Sequence, residues 1–122
     1  MKNLHKLGNP GKFYRLSEKI LPWSNLLAIS LCGIGLYLGL FIAPPDYQQG
    51  DSVRIIYVHV PAATLASLVY AIMAISSAIT FIWKNPLGSY IAKSAAPIGA
   101  VFTFIAIITG ALWGKPTWGT WW

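Results

Sequence analysis

The sequence predicts an all-α polytopic membrane protein with three transmembrane helices. Of the 122 residues, 56% are hydrophobic and only 10% are charged, whereas soluble globular domains carry roughly 25% charged residues. Three apolar runs are each near the ~20 residues that cross a hydrocarbon core of ~30 Å. They span residues 23–43, 61–83 and 94–113, and none contains Asp, Glu, Lys or Arg. A carboxylate proton relay within the bilayer is therefore excluded for these spans.

The positions of Lys and Arg predict the orientation of the chain. Seven of them precede the first span or flank the loop between the second and third, and two lie on the other side of the membrane. Because cytoplasmic loops are enriched in Lys and Arg, the N-terminus is expected in the cytoplasm. The net charge of +6 then reflects topology, and we expect no nucleic-acid partner. The seven residues are Lys2, Lys6, Lys12, Arg15, Lys19, Lys84 and Lys93, and the two are Arg54 and Lys115.

The segments outside the spans follow from this topology. Residues 1–22 are expected to form a basic, mobile cytoplasmic arm near anionic lipid. The pair Pro44-Pro45 ends the first span, because neither proline can donate to a helical ladder. Residues 44–60 form an outer loop or interfacial segment, with either a short helix before Pro61 or a helix that continues with a kink there. Residues 84–93 are predicted as a cytoplasmic loop, and residues 114–122 emerge on the same outer face as 44–60.

His59 is the candidate metal ligand on the outer side. A neutral imidazole offers one nitrogen lone pair to a metal or haem iron while its other N–H bonds to a carbonyl or carboxylate. Composition alone leaves a structural histidine at the membrane interface as an open alternative. His5 lies in the cytoplasmic arm and cannot join His59 without crossing the membrane.

The C-terminal tail is unusually rich in tryptophan. Four of the six tryptophans of the chain lie within residues 113–122. If Thr117 caps a helical turn, the last three share one face at i, i+3 and i+4. Such a face suits either the lipid headgroup layer or stacking against a large planar ligand, and both readings stay open. The four are Trp113, Trp118, Trp121 and Trp122.

Arg54 completes the candidate site. A guanidinium near His59 can hold an anionic group such as a propionate, and a lipid phosphate is the alternative partner. The sequence contains no Cys-x-x-Cys-His stretch, so the chain does not attach haem to itself in the c-type manner. A nucleophile with a base partner is also missing from the sequence, and we expect no enzymatic activity.

Two motifs carry a resemblance to a known family. RIIYVHVPAA at residues 54–63, followed after the third span by WGKPTWGTWW at residues 113–122, closely resembles the CcmC family of haem-handling proteins in bacterial cytochrome c maturation. The resemblance implies six transmembrane helices in the inner membrane. It also implies a periplasmic tryptophan-rich WWD segment flanked by two histidines that ligate haem. The first histidine corresponds to His59, and the WWD segment begins at Trp113.

The resemblance further implies a function and partners. Members of the family hold b-type haem in transit at the periplasmic face and present it to the haem chaperone CcmE. CcmA and CcmB form the associated transporter, and CcmD is a small membrane partner. Haem is thus the expected ligand, and the lipid bilayer is the expected surrounding of the protein. The resemblance gives His59 the role of an axial ligand. The four tryptophans of the tail would form an apolar wall, and Arg54 would be a cation for a propionate.

The chain ends inside the tryptophan-rich segment, before the Asp of WWD and the second histidine. We therefore expect it to be an N-terminal fragment carrying half a haem site. Two alternatives remain at this point: a structural or permease subunit that binds no haem, and a related WWD-type cytochrome c synthetase component.

Overall fold

The computed structural model describes residues 10–121, apart from the side chains of residues 10, 12 and 13. Predictions that concern His5, the first two lysines and Trp122 lie outside these residues. The elements in chain order are α1 (Pro10–Tyr37), a π-helical turn (Leu38–Ile42), a 3₁₀ turn (Asp51–Ile55), α2 (Ile56–Trp83) and α3 (Pro86–Trp118). The chain divides into two compact units, which meet in sequence between Tyr37 and Leu38.

Three helical runs are long and apolar enough to cross a membrane. They are Tyr14–Ile42, Asp51–Trp83 and Pro86–Trp118. Within the described residues, regular structure outside the helices is limited to a single bridge between Asp46 and Gly50. The prediction of an all-α polytopic membrane protein is therefore confirmed.

The helices extend beyond the predicted spans. α1 begins at Pro10, so much of the predicted mobile arm is helical, and proline suits a first helical position because it has no N–H to leave unpaired. The second run begins with the 3₁₀ turn at Asp51 and passes through Pro61 without ending. His59 therefore lies within α2 rather than in a loop before it, and the helix continues through Pro61.

The connection between α2 and α3 is much shorter than the predicted loop of residues 84–93. Only Lys84 and Asn85 lie outside the two helices. Lys84 ends α2 in the left-handed conformation with φ of 51°. The side chain of Asn85 caps α3 by accepting a hydrogen bond from the Leu87 N–H at 3.0 Å, and Pro86 occupies the first helical turn. Capping by asparagine with a following proline is a strong helix start, so α3 begins well before the apolar span does.

α2 and α3 pack as an antiparallel hairpin through small residues. Gly88, Gly99 and Gly110 follow one another at intervals of eleven residues, which is about three helical turns, so they share one face of α3. A Cβ at Gly88 would meet the Ser76 carbonyl oxygen, and one at Gly99 would lie 3.0 Å from a Val69 methyl carbon. Glycine thus permits the close helix approach on which packing in a bilayer depends.

Candidate functional site

A short ordered loop precedes the hairpin. The Asp46 carboxylate accepts hydrogen bonds from the backbone N–H groups of Gln48 and Gln49, both at 2.9 Å. Gly50 closes the loop with backbone hydrogen bonds to Asp46 in both directions and with φ of 58°, where glycine is favoured. The hydrogen bonds to its carboxylate lower the pKa of Asp46, and the backbone N–H of Gln49 has the largest effect and that of Gln48 the next largest. Loop stabilisation by this carboxylate is therefore present above its unfolded pKa and is lost as the pH falls through the lowered value.

Arg54 ties the 3₁₀ turn to the π-helical turn. The Leu40 carbonyl would ordinarily accept from residue 44 or 45, but both are prolines and have no N–H. Arg54 Nη1 donates to this carbonyl at 3.0 Å, and its Nη2 lies 3.3 Å from Asp51 Oδ1. The guanidinium thus compensates for an acceptor that the proline pair leaves unpaired.

The imidazole of His59 is held against α3. Its Nδ1 lies 3.0 Å from the Ala106 carbonyl oxygen and 3.1 Å from Thr109 Oγ1. A carbonyl oxygen can only accept, so in the neutral imidazole Nδ1 carries the proton and the lone pair is on Nε2. Gly110 makes this approach possible, because a Cβ there would lie 2.9 Å from His59 Cε1. The arrangement is the one found when a histidine ligates a metal and bonds a carbonyl through its other nitrogen.

Trp113 packs directly against His59. The two ring centroids are 5.8 Å apart, with an interplanar angle of 57°. Trp113 Nε1 donates to Gln49 Oε1 at 2.8 Å, so the loop before the hairpin fixes the indole. Trp118 continues the cluster, with its ring centroid 6.1 Å from that of Trp113. Residues at the start of α2 and the end of α3 therefore meet at one end of the hairpin.

An apolar groove of about 330 Å³ runs beside this cluster, within the ~300–1,000 Å³ typical of small-molecule sites. Trp118 and Trp121 line it together with Gly114. Ala106 and Gly110 also line the groove, and because both contact the His59 ring, the histidine adjoins it. Lys115 Nζ lies 5.5 Å from the centroid of the Trp121 ring and donates to the Gly119 carbonyl at 3.2 Å.

The structure groups some of the predicted site residues and separates others. His59, Trp113 and Trp118 form a chain of ring contacts, and Trp121 lines the same groove as Trp118. Arg54 is engaged by Leu40 and Asp51, and Lys115 is the cation that contacts a groove tryptophan.

Thr117 does not cap a new helical turn, because α3 runs through to Trp118. Its hydroxyl donates instead to the Trp113 carbonyl at 2.7 Å. Sequence reasoning also missed Gln49, Thr109 and Gly110 as members of the site.

Comparison with known proteins identifies a family to which the chain is similar. A family model described as CcmC, heme exporter protein C, matches residues 3–122. Heme exporter protein C of Bradyrhizobium diazoefficiens is 49% identical over 116 residues, which cover 95% of this chain and 44% of the relative. The Escherichia coli K12 protein of the same name is 46% identical over 121 residues, covering 99% of this chain and 49% of the relative.

A third relative gives the same picture. Heme exporter protein C of Paracoccus denitrificans is 47% identical over 120 residues, covering 98% of this chain and 49% of the relative. The chain thus spans about half the length of the curated relatives it matches.

Proposed function

Because the chain belongs to the heme exporter protein C family, we propose that it carries the N-terminal part of a haem-handling site for c-type cytochrome biogenesis. The proposed site faces the periplasm in the bacterial inner membrane, with the N-terminus of the chain in the cytoplasm. Haem is the cargo, b-type and bound in transit, and is presented to the chaperone CcmE. The protein acts by delivery rather than by enzymatic turnover.

One observation carries this proposal: the His59 imidazole is anchored through Nδ1, so that in its neutral form the lone pair is on Nε2. Haem iron takes axial nitrogen ligands, and histidine is the commonest source of them in proteins. The indole rings next to His59 offer the apolar surface that a porphyrin face requires. Lys115, beside Trp121, offers a cation for a propionate.

The proposed partners follow from the family. CcmE would receive haem at the tryptophan-rich end of the hairpin, where Trp118 and Trp121 are 69% and 46% exposed. CcmA, CcmB and CcmD would contact the membrane-embedded surfaces. Large apolar side chains project from α1, α2 and α3, as expected for helices that face lipid or further helices.

The proposal requires both ends of the site to face the periplasm. In a Cys32→Ala background, we expect single cysteines at Gln48 and Thr120 to react in whole spheroplasts with a membrane-impermeant maleimide. A cysteine at Lys93 should react only after the membrane is opened. Labelling of residues 48 and 120 from opposite sides, or of both from the cytoplasm alone, would contradict the proposal.

The tryptophans provide a second test. We expect the double substitution Trp118→Ala with Trp121→Ala to lower haem affinity roughly 30-fold, because each aromatic contact contributes about 1 kcal/mol. Haem staining of CcmE on a denaturing gel should fall in parallel. Trp83→Ala is the matched control, since that indole is similarly exposed at 68% but lies at the other end of α2. Normal haem binding and normal CcmE loading in the double variant would contradict this role and would show that the tail is only a membrane anchor.

A further inference from the structure

We propose that Thr109 is a positioning residue that, together with the Ala106 carbonyl, holds His59 in the Nδ1–H tautomer and so selects Nε2 as the ligating atom. The inference rests on the proposed haem function for its consequence. The structural part of the inference is that the proton of the His59 imidazole is on Nδ1, and this can be measured in the absence of haem.

The assignment follows from counting protons. Thr109 has a single hydroxyl hydrogen, and Thr109 Oγ1 donates it to the Ile105 carbonyl at 2.7 Å, with the Ala106 carbonyl at 3.3 Å as a longer alternative. The shortest of these contacts directs the hydroxyl proton to a backbone carbonyl, and an oxygen lone pair remains for His59 Nδ1 at 3.1 Å. The Ala106 carbonyl, at 3.0 Å from Nδ1, has no proton to give. Two acceptors therefore face the same nitrogen, and the tautomer that satisfies both has the proton on Nδ1.

The position of Thr109 in α3 makes this arrangement rigid. Its hydroxyl bonds to a carbonyl one turn earlier in the same helix, a local bond that fixes the side-chain rotamer. The neighbouring Gly110 lets the imidazole approach the helix backbone, because a Cβ would lie 2.9 Å from Cε1 and 3.3 Å from Nδ1. A threonine followed by a glycine thus supplies both the acceptor and the space that His59 needs.

Valine and serine separate the hydroxyl from the shape of the side chain. Thr109→Val keeps the branched shape and removes the acceptor, whereas Thr109→Ser keeps the acceptor. Thr80→Val is the matched control, because Thr80 also donates to a carbonyl one turn earlier, that of Ser76 at 3.1 Å, but lies at the opposite end of α2. All three variants should reach the membrane in wild-type amounts.

The first measurement is ¹⁵N NMR of histidine-labelled, haem-free protein in nanodiscs, at a pH where the imidazole is neutral. We expect His59 in the wild type and in Thr109→Ser to show a protonated Nδ1 and an unprotonated Nε2. Thr109→Val should shift the tautomer ratio toward Nε2–H roughly two- to tenfold, matching the loss of one neutral hydrogen bond. A wild-type spectrum with the proton on Nε2, or an unchanged ratio in Thr109→Val, would overturn the inference.

The second measurement is haem affinity by visible titration. Thr109→Val should bind haem roughly two- to tenfold more weakly, with Thr109→Ser and Thr80→Val near the wild type. If the NMR result holds while His59→Ala leaves the haem spectrum unchanged, the tautomer assignment stands and the proposed function fails. If haem binding requires His59 but the tautomer ratio is unchanged in Thr109→Val, the proposed function stands and the inference fails.

Discussion

Under the proposed haem-handling function, replacement of His59 by alanine is expected to remove most of the bound haem. Loss of a residue that only orients a metal-bound histidine costs up to about 100-fold in affinity, so loss of the ligand itself should cost more than about 100-fold. The Soret band of protein purified from haem-replete cells should fall accordingly. Visible spectroscopy at equal protein concentration, with haem staining of CcmE as a second readout, measures the effect.

Two further variants distinguish a ligand from a structural histidine. His5→Ala, the only other histidine of the chain, should bind haem as the wild type does. In His59→Gly, imidazole added to the buffer should restore the spectrum by occupying the space of the missing ring. A His59→Ala protein with unchanged haem content and spectrum would disprove the ligand assignment.

Alanine at Gly88 is expected to produce the largest loss of stability in the hairpin. The new Cβ would overlap the Ser76 carbonyl oxygen and Thr80 Oγ1, and a backbone carbonyl cannot rotate away as a side chain can. Overpacking of this kind costs about 1–3 kcal/mol. Unfolding in a detergent mixture, followed by circular dichroism, should show the decrease.

Gly35→Ala is the matched control for this substitution. Gly35 lies within α1 and a Cβ there has nothing within 4 Å. Alanine is favoured over glycine inside a helix by about 1 kcal/mol, so this variant should be as stable as the wild type or more so. Equal stability of Gly88→Ala and Gly35→Ala would contradict the packing described for the hairpin.

The number of spans was predictable because a bilayer imposes a length and an apolar composition on any helix that crosses it. The ends of the helices were not, because they depend on local capping rather than on hydropathy. Asn85 and Pro86 start α3 well before residue 94, where the predicted span begins. Likewise the 3₁₀ turn at Asp51 leads into α2 without a break, since proline at residue 61 is accommodated near the start of the helix.

The site was predictable only in part. Topology places His59 and Trp113 at one end of a hairpin, whatever the details of the side chains. The contacts of Thr109 with His59 and of Gln49 with Trp113 could not be predicted, because a single hydroxyl or amide produces no periodic pattern in a sequence. Gly110 did carry a signal, the eleven-residue spacing from Gly88 and Gly99, which marks one face of a helix.

The Arg54 contact could also have been found from the sequence. Two consecutive prolines remove the N–H groups that would pair with the Leu40 carbonyl, and an unpaired carbonyl in an apolar setting requires a donor. Arg54 is the nearest cation along the chain that follows the prolines. Its pairing with Leu40 shows why a guanidinium beside a ligand candidate need not serve the ligand.

The connection of only Lys84 and Asn85 between α2 and α3 limits how far the two helices can move relative to each other. Two extended residues reach about 7 Å, far less than the ~30 Å of the hydrocarbon layer. Once both helices have formed, their ends at this turn therefore cannot move apart by more than about that distance. A larger displacement of either helix requires residues at the end of α2 or the start of α3 to unwind, and unwinding at the start of α3 breaks its Asn85 cap.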